Sequence, residues 1–122
     1  MANVLGLEHV TITAPEELEA EVVDWYVSCV GLRRLDRPAE QHKGGAWFEV
    51  GDQQIHVMID PHNPPKDAHF CLRVDDFEGF VSKLRAARCH IEQASARPGV
   101  RRCFTRDPAG NSIEIVSIAE GA

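Results

Sequence analysis

Four side chains in this sequence occupy matching places in a weak internal repeat, and their types are those that hold a divalent metal ion. His9 lies in Leu7-Glu8-His9-Val10-Thr11-Ile12 and His56 in Ile55-His56-Val57-Met58-Ile59. His69 lies in Ala68-His69-Phe70-Cys71-Leu72-Arg73-Val74 and Glu114 in Ile113-Glu114-Ile115-Val116. The step from His9 to His56 is 47 positions, and that from His69 to Glu114 is 45. Two similar halves would bring three imidazoles and one carboxylate toward a common axis. Imidazole combined with carboxylate suits Zn, Fe, Ni, Co or Mn. Four protein ligands leave room on the ion for water or substrate, so the ion can act as a Lewis acid on a carbonyl or an enediolate.

The elements that must position these groups can be read from the apolar spacing. Residues 6–13 alternate, with His9, Thr11 and Thr13 on one face and Val10 and Ile12 on the other, the pattern of a half-buried strand. After Ala14-Pro15, residues 16–29 form an amphipathic helix with Leu18, Val22, Trp25 and Cys29 on one side and Gly31 as its C-terminal cap. Strands follow at Leu32 to Arg37, Ala46 to Val50 and Gln53 to Ile59, with a polar loop from Pro38 to Gly45. Asp60 to Asp67 is a proline-rich connector that no sheet interior accepts. The order then repeats. Ala68 to Val74 is a strand, and Asp75 or Asp76 caps a helix over Phe77 to Arg88. Its apolar face carries Phe77, Phe80, Val81 and Leu84. Strands run over Cys89 to Gln93, Val100 to Arg106 and Ser112 to Ile118, with a tight turn at Asp107-Pro108-Ala109-Gly110-Asn111. Each half is β-α-β-β-β.

Facing decides the chemistry. Alternation puts His9, Gln54 with His56, His69 with Cys71, and Glu114 with Ser112 on the faces opposite the apolar sets. A carboxylate flanked by isoleucines in a strand centre is costly unless it is solvated, paired or bound to a cation. Thr11 and Arg102 are placed to contact an anionic substrate, Trp47 reads as cleft wall and Phe48 as core. His42, His62 and His90 read as surface residues.

Composition narrows the classes. The chain has 122 residues, 43% hydrophobic and 26% charged, which suits one domain with a core. Net charge is −6, from 13 basic and 19 acidic residues. The arginines at 97, 101, 102 and 106 make a local cluster rather than a basic face, so no nucleic-acid partner is expected. No stretch is long and apolar enough to span a membrane, and the N-terminus carries no signal-peptide pattern. The four cysteines form no C-x-x-C pair and read as reduced thiols of a cytoplasmic protein.

Several stretches go further. Leu7-Glu8-His9-Val10-Thr11-Ile12, Trp25-Tyr26 with Val30-Gly31-Leu32, Ala68-His69-Phe70, and above all the run from Phe104 to Glu114 with its Asp107-Pro108-Ala109-Gly110-Asn111 turn form a set. In these the chain resembles, over essentially its whole length, the vicinal oxygen chelate superfamily, also called the glyoxalase/bleomycin-resistance/dioxygenase superfamily. The resemblance implies an α+β fold, two βαβββ modules forming an open cup-shaped mixed sheet with helices outside. That is a single domain of module 1–60 and module 67–122. It implies one divalent metal ion (Zn, Ni, Mn or Fe) held by His9, His69 and Glu114, with His56 at the fourth place. Glyoxalase I-like enzymes usually carry Glu or Gln there, and methylmalonyl-CoA epimerase-like enzymes Gln. With His56 in that place, the proton-transfer groups are Glu114 and His56. The implied activity is that of a metal-dependent lyase or isomerase, like lactoylglutathione lyase, acting on a small substrate that chelates the metal through vicinal oxygens. The resemblance also implies a homodimer. It extends to two other functions: a fosfomycin-type thiol or water transferase, and a protein that binds an antibiotic or another small molecule.

Overall fold

Alternating apolar residues and two short amphipathic helices build the same unit twice. The computed structural model describes residues 2–38, 44–61, 67–95 and 97–118. The chain is α+β and divides into the units Met1–His62 and Asn63–Ala122. His42, His62, the middle of the 38–45 loop and most of the connector lie outside the described residues.

In the first unit β1 (His9–Ala14) leads through a short 3-10 turn (Glu16–Leu18) into α1 (Glu19–Ser28). β2 (Arg33–Leu35), β3 (Ala46–Val50) and β4 (Gln53–Ile59) complete a four-stranded sheet of order β1-β4-β3-β2. β1 runs parallel to β4, and the other pairings are antiparallel. Val10, Ile12 and Ala14, Ile55 and Val57, and Ala46 and Phe48 share one face by register. Ala14, Ala46, Ile55, Val57 and Phe48 are fully or almost fully buried, as are Val22 and Tyr26 of α1. The Tyr26 ring lies 4.9 Å from that of Trp25, edge-on, and 5.6 Å from that of Phe48. Gly31, at φ 85°, ends α1 in the left-handed region that glycine favours, and Leu32 N donates back to Tyr26 O at 3.0 Å. That cap uses Leu32, so β2 is shorter than the periodicity suggests. At the start of β3, a Cβ on Gly45 would stand 2.0 Å from the Val57 carbonyl oxygen, so only glycine lets these strands meet.

The second unit repeats the order with β5 (His69–Arg73), α2 (Phe77–Ala86), β6 (Glu92–Gln93), β7 (Val100–Arg106) and β8 (Ser112–Ile118) in a sheet β5-β8-β7-β6. β5 is parallel to β8, and the remaining pairs are antiparallel. Asp76 caps α2, its Oδ1 accepting from Gly79 N at 3.0 Å. The helix stops at Ala86 rather than at residue 88. Arg88 turns left-handed, at φ 61°, and Cys89 N donates to Leu84 O, which delays β6 to residue 92. Leu72, Ile113, Ile115, Cys103 and Thr105 form the buried face, with Val81 and Leu84 of α2 also buried. The Asp107 carboxylate fixes the β7–β8 turn. Its Oδ1 accepts from Ala109 N and Asn111 N, and its Oδ2 from Asn111 Nδ2, at 2.8–3.0 Å. None of the four cysteines is joined in a disulfide.

Among the described residues one buried side-chain polar atom lacks a partner, the Thr105 hydroxyl. Thr105→Val replaces that hydroxyl with a methyl of the same shape. The variant is expected to unfold at a higher urea midpoint with unchanged slope, a gain of about 1 kcal/mol. A lower midpoint would show that the hydroxyl is bonded in solution.

Candidate functional site

The polar faces predicted from alternation exist in both sheets. In the first unit, register places His9, Thr11, Trp47, Gln54 and His56 on the face away from α1's core partners. Thr11 lies opposite His56 on the neighbouring strand and is exposed. Trp47 lies opposite His56 on the other side. The three rings form a column. His9 and His56 stack with centroids 4.0 Å apart and planes 14° from parallel, and Trp47 stacks on His56 at 4.4 Å and 7°.

The two imidazoles of this column present different nitrogens. His9 Nδ1 donates to Glu8 Oε1 at 2.8 Å, because a carboxylate can only accept. When the ring is neutral its Nε2 carries the lone pair, the carboxylate–histidine arrangement that prepares an imidazole to bind a metal. His56 is turned the other way. Its Nε2 donates to Gln54 Oε1 at 2.7 Å, and the ring is only 9% exposed. Burial, and next the neighbouring His9, hold the His56 imidazole below the usual histidine range, with Glu8 pulling the other way. An ion bonded to an imidazole nitrogen lies in the plane of that ring. Two rings stacked face to face share no such position, so His56 and His9 do not fit as ligands of one ion unless one ring turns.

In the second unit His69, Cys71, Arg102, Phe104 and Glu114 share the face away from the buried set. Cys71 and Phe104 flank Glu114 directly on the two neighbouring strands. Glu114 is 9% exposed, and Arg102 answers the question of what tolerates a carboxylate there. Arg102 Nε donates to Glu114 Oε2 at 3.0 Å. Arg102 Nη1 donates to the Ser95 carbonyl and to Ser95 Oγ, both at 3.3 Å. The other carboxylate oxygen, Oε1, lies 3.3 Å from His69 Nε2. His69 Nδ1 donates to the Asp67 carbonyl at 3.0 Å, so Nε2 is bare unless the ring is protonated. Two lone pairs then face each other unless a proton or a cation lies between them. The separation is also that of adjacent ligands bonded to an ion at about 2.1 Å each. The donor set in this unit therefore fits a divalent ion. Among the described residues no cluster of three or more His, Cys, Asp or Glu side chains gathers in metal-binding geometry.

The sequence-predicted residues thus fall into two groups: His9, His56, Thr11 and Trp47 in one unit, and His69, Glu114 and Arg102 in the other. His90 is exposed, 3.8 Å from Glu92. Several partners were not singled out from sequence. Gln54 and Cys71 lay on the right faces by alternation, and Glu8 is adjacent to His9, so each had a signal. The Asp67 and Ser95 carbonyls had none, because backbone acceptors leave no mark in residue type.

The family model described as the glyoxalase/bleomycin resistance protein/dioxygenase superfamily matches residues 6–115. The chain belongs to that superfamily. Among solved structures, this superfamily member is similar to a glyoxalase family protein from Bacillus anthracis whose assignment is provisional. The two share 33% identity over 97% of this chain and 99% of that one, with a TM-score of 0.89. It shares its fold with a lactoylglutathione lyase from Agrobacterium tumefaciens at 20% identity, 95% and 96% coverage and TM-score 0.74. It also shares it with an antibiotic binding protein from a Streptomyces species at 19% identity, 98% and 100% coverage and TM-score 0.79. No curated protein matches the chain.

Cys71 offers a test of the electrostatics on this face. Burial first, then the Glu114 charge, push its thiol up to about 11, against the pull of Arg102. The raised value keeps the thiol protonated through neutral pH, with thiolate appearing only as pH approaches the folded value. Alkylation of Cys71 in metal-free protein at pH 8 should run about 100-fold slower than for an unperturbed thiol. Peptide mass spectrometry after iodoacetamide pulses from pH 7 to 11 reads the profile, and Glu114→Gln should move it to lower pH. A rate that levels off below about pH 9 would contradict this assignment.

Proposed function

We propose that this protein is a metal-dependent lyase or isomerase of the glyoxalase type, acting on a small substrate that chelates the ion through vicinal oxygens. The observation that carries the reading is the confrontation of His69 Nε2 with Glu114 Oε1 at 3.3 Å, with the far nitrogen of His69 tied to a carbonyl. His9, whose Nδ1 is tied to Glu8, is prepared in the same way and is the third donor that the sequence pattern supplies. His56 is better read as the ring that holds His9 in plane, becoming a fourth donor only if the stack opens.

A bound divalent ion supplies Lewis acidity and offsets negative charge developing on substrate oxygens. The rest falls to the chain's own residues. Glu114 and His56 are the groups able to take a proton from a carbon beside a carbonyl and return it to the neighbouring carbon. Glu114 does so as a carboxylate, and His56 as an imidazole that burial keeps neutral at pH 7. Trp47 and Thr11 line the substrate's approach on the first unit's polar face. A cytoplasmic homodimer remains part of the proposal. The family resemblance supports it, and among the described residues no helix is long and apolar enough to cross a membrane.

A second reading has one observation behind it. The Trp47–His56–His9 column is a stack of aromatic rings that a planar ligand can extend at an end ring, and the antibiotic binding protein shares the fold. In that reading binding survives metal removal. Elemental analysis separates the two. After reconstitution with Zn, Ni, Mn or Fe(II), the enzyme reading expects about one ion per chain, lost in His9→Ala, His69→Ala and Glu114→Ala. It also expects isomerisation of the methylglyoxal–glutathione hemithioacetal to the thioester, abolished by chelator and about 10²–10⁴-fold slower in Glu114→Gln. No bound metal from any of the four ions would refute the enzyme.

A further inference from the structure

We infer that Arg102 is a positioning residue that commits Glu114 to bind its metal through one oxygen. This rests on reading Glu114 as a ligand. A carboxylate can hold a cation through one oxygen or through both, and what decides is whether the second oxygen is occupied. Here it is. Glu114 Oε2 accepts from Arg102 Nε at 3.0 Å, while Oε1 points to His69 Nε2. The oxygen facing the imidazole is the one left for the ion.

The arginine is held by the protein, independently of any ligand. β7 and β8 register Phe104 directly across from Glu114, and Arg102 sits two residues along on the same face. Its guanidinium carbon stands 5.7 Å from the Phe104 ring centroid. Its Nη1 is anchored twice on Ser95, through the carbonyl and through the hydroxyl. The Arg102 and Glu114 side chains are 16% and 11% exposed, so neither end of the pair has much water to turn to. Swinging the carboxylate to two-oxygen binding would break this ion pair and leave a shielded guanidinium without its partner. A lysine would keep the charge but not the fixed fork that sets the direction.

The test uses Co(II), whose visible absorption weakens as coordination number rises, so that binding mode and affinity are read together without activity. Wild type, Arg102→Gln and Arg102→Lys are titrated with Co(II) in competition with a chelator, and folding of each is checked by circular dichroism and thermal unfolding. Arg102→Gln is expected to show weaker visible absorption, from a carboxylate now bound through both oxygens, and a Co(II) affinity lower by about 10–100-fold. Arg102→Lys should fold and still show the weakened absorption, which keeps the test alive should Arg102→Gln fail to fold. Wild-type spectrum and affinity in the variants would overturn the positioning role while leaving the metal reading intact. Full rescue by lysine would overturn it too, since charge alone would then suffice. Wild type that binds no Co(II) would overturn both readings.

Discussion

A carboxylate in the middle of a β-strand, with isoleucines on both sides, needs a positive partner. In this chain Arg102 supplies it, and much else in the second unit follows from that one ion pair. The arginine has to come from the neighbouring strand, on the same face, at a fixed offset. That offset is set by the turn in which Asp107 accepts three hydrogen bonds. A slip of one residue in the β7–β8 register would carry Glu114 into the face occupied by Ile113 and Ile115, where nothing could neutralise it. The pairing therefore ties the register of a hairpin to the chemistry of a site.

The first unit solves a related problem with rings instead of charges. His56 stands where the second unit has Glu114, at the centre of the fourth strand of its module. There it is buried by stacking between Trp47 and His9 and satisfied through Gln54. The two modules repeat the backbone and the histidine of the first strand. They differ in what answers that histidine across the sheet: a neutral ring in one, a charged acid in the other. The second-unit histidine faces an acceptor, and the first-unit histidine faces a π-surface.

Much of this was legible in the sequence because strands have a period of two. Ala46–Val50, Gln53–Ile59, Val100–Arg106 and Ser112–Ile118 have the bounds that their alternation gives, and the faces of His9, His69 and Glu114 follow at once. The ends of β2 and β6 did not, because their boundaries depend on helix caps: the glycine that uses Leu32, and the left-handed Arg88 that uses Cys89. Ring orientation was out of reach for a different reason. Residue type places an imidazole on a face. Which nitrogen it offers is decided by a neighbour such as Gln54, Glu8 or the Asp67 carbonyl, and a backbone oxygen has no letter in the sequence. Arg102 lay between the two cases. Its face could be read, but its engagement with Glu114 depends on where Ser95 and Phe104 hold it.

The topology also sets an order of assembly. In each unit the last two strands are a local hairpin, β3–β4 through Gly51 or β7–β8 through the Asp107 turn, whereas the first strand joins in parallel only after the chain has passed through a helix and two more strands. Local pairings close sooner than distant ones because they confine less chain. The pairings that put Trp47 opposite His56 and Arg102 beside Glu114 are thus local, while those of the first-strand histidines are long-range. Within each unit the hairpin sets most of the polar face by local pairing, and the first-strand histidine joins that face through a long-range parallel pairing.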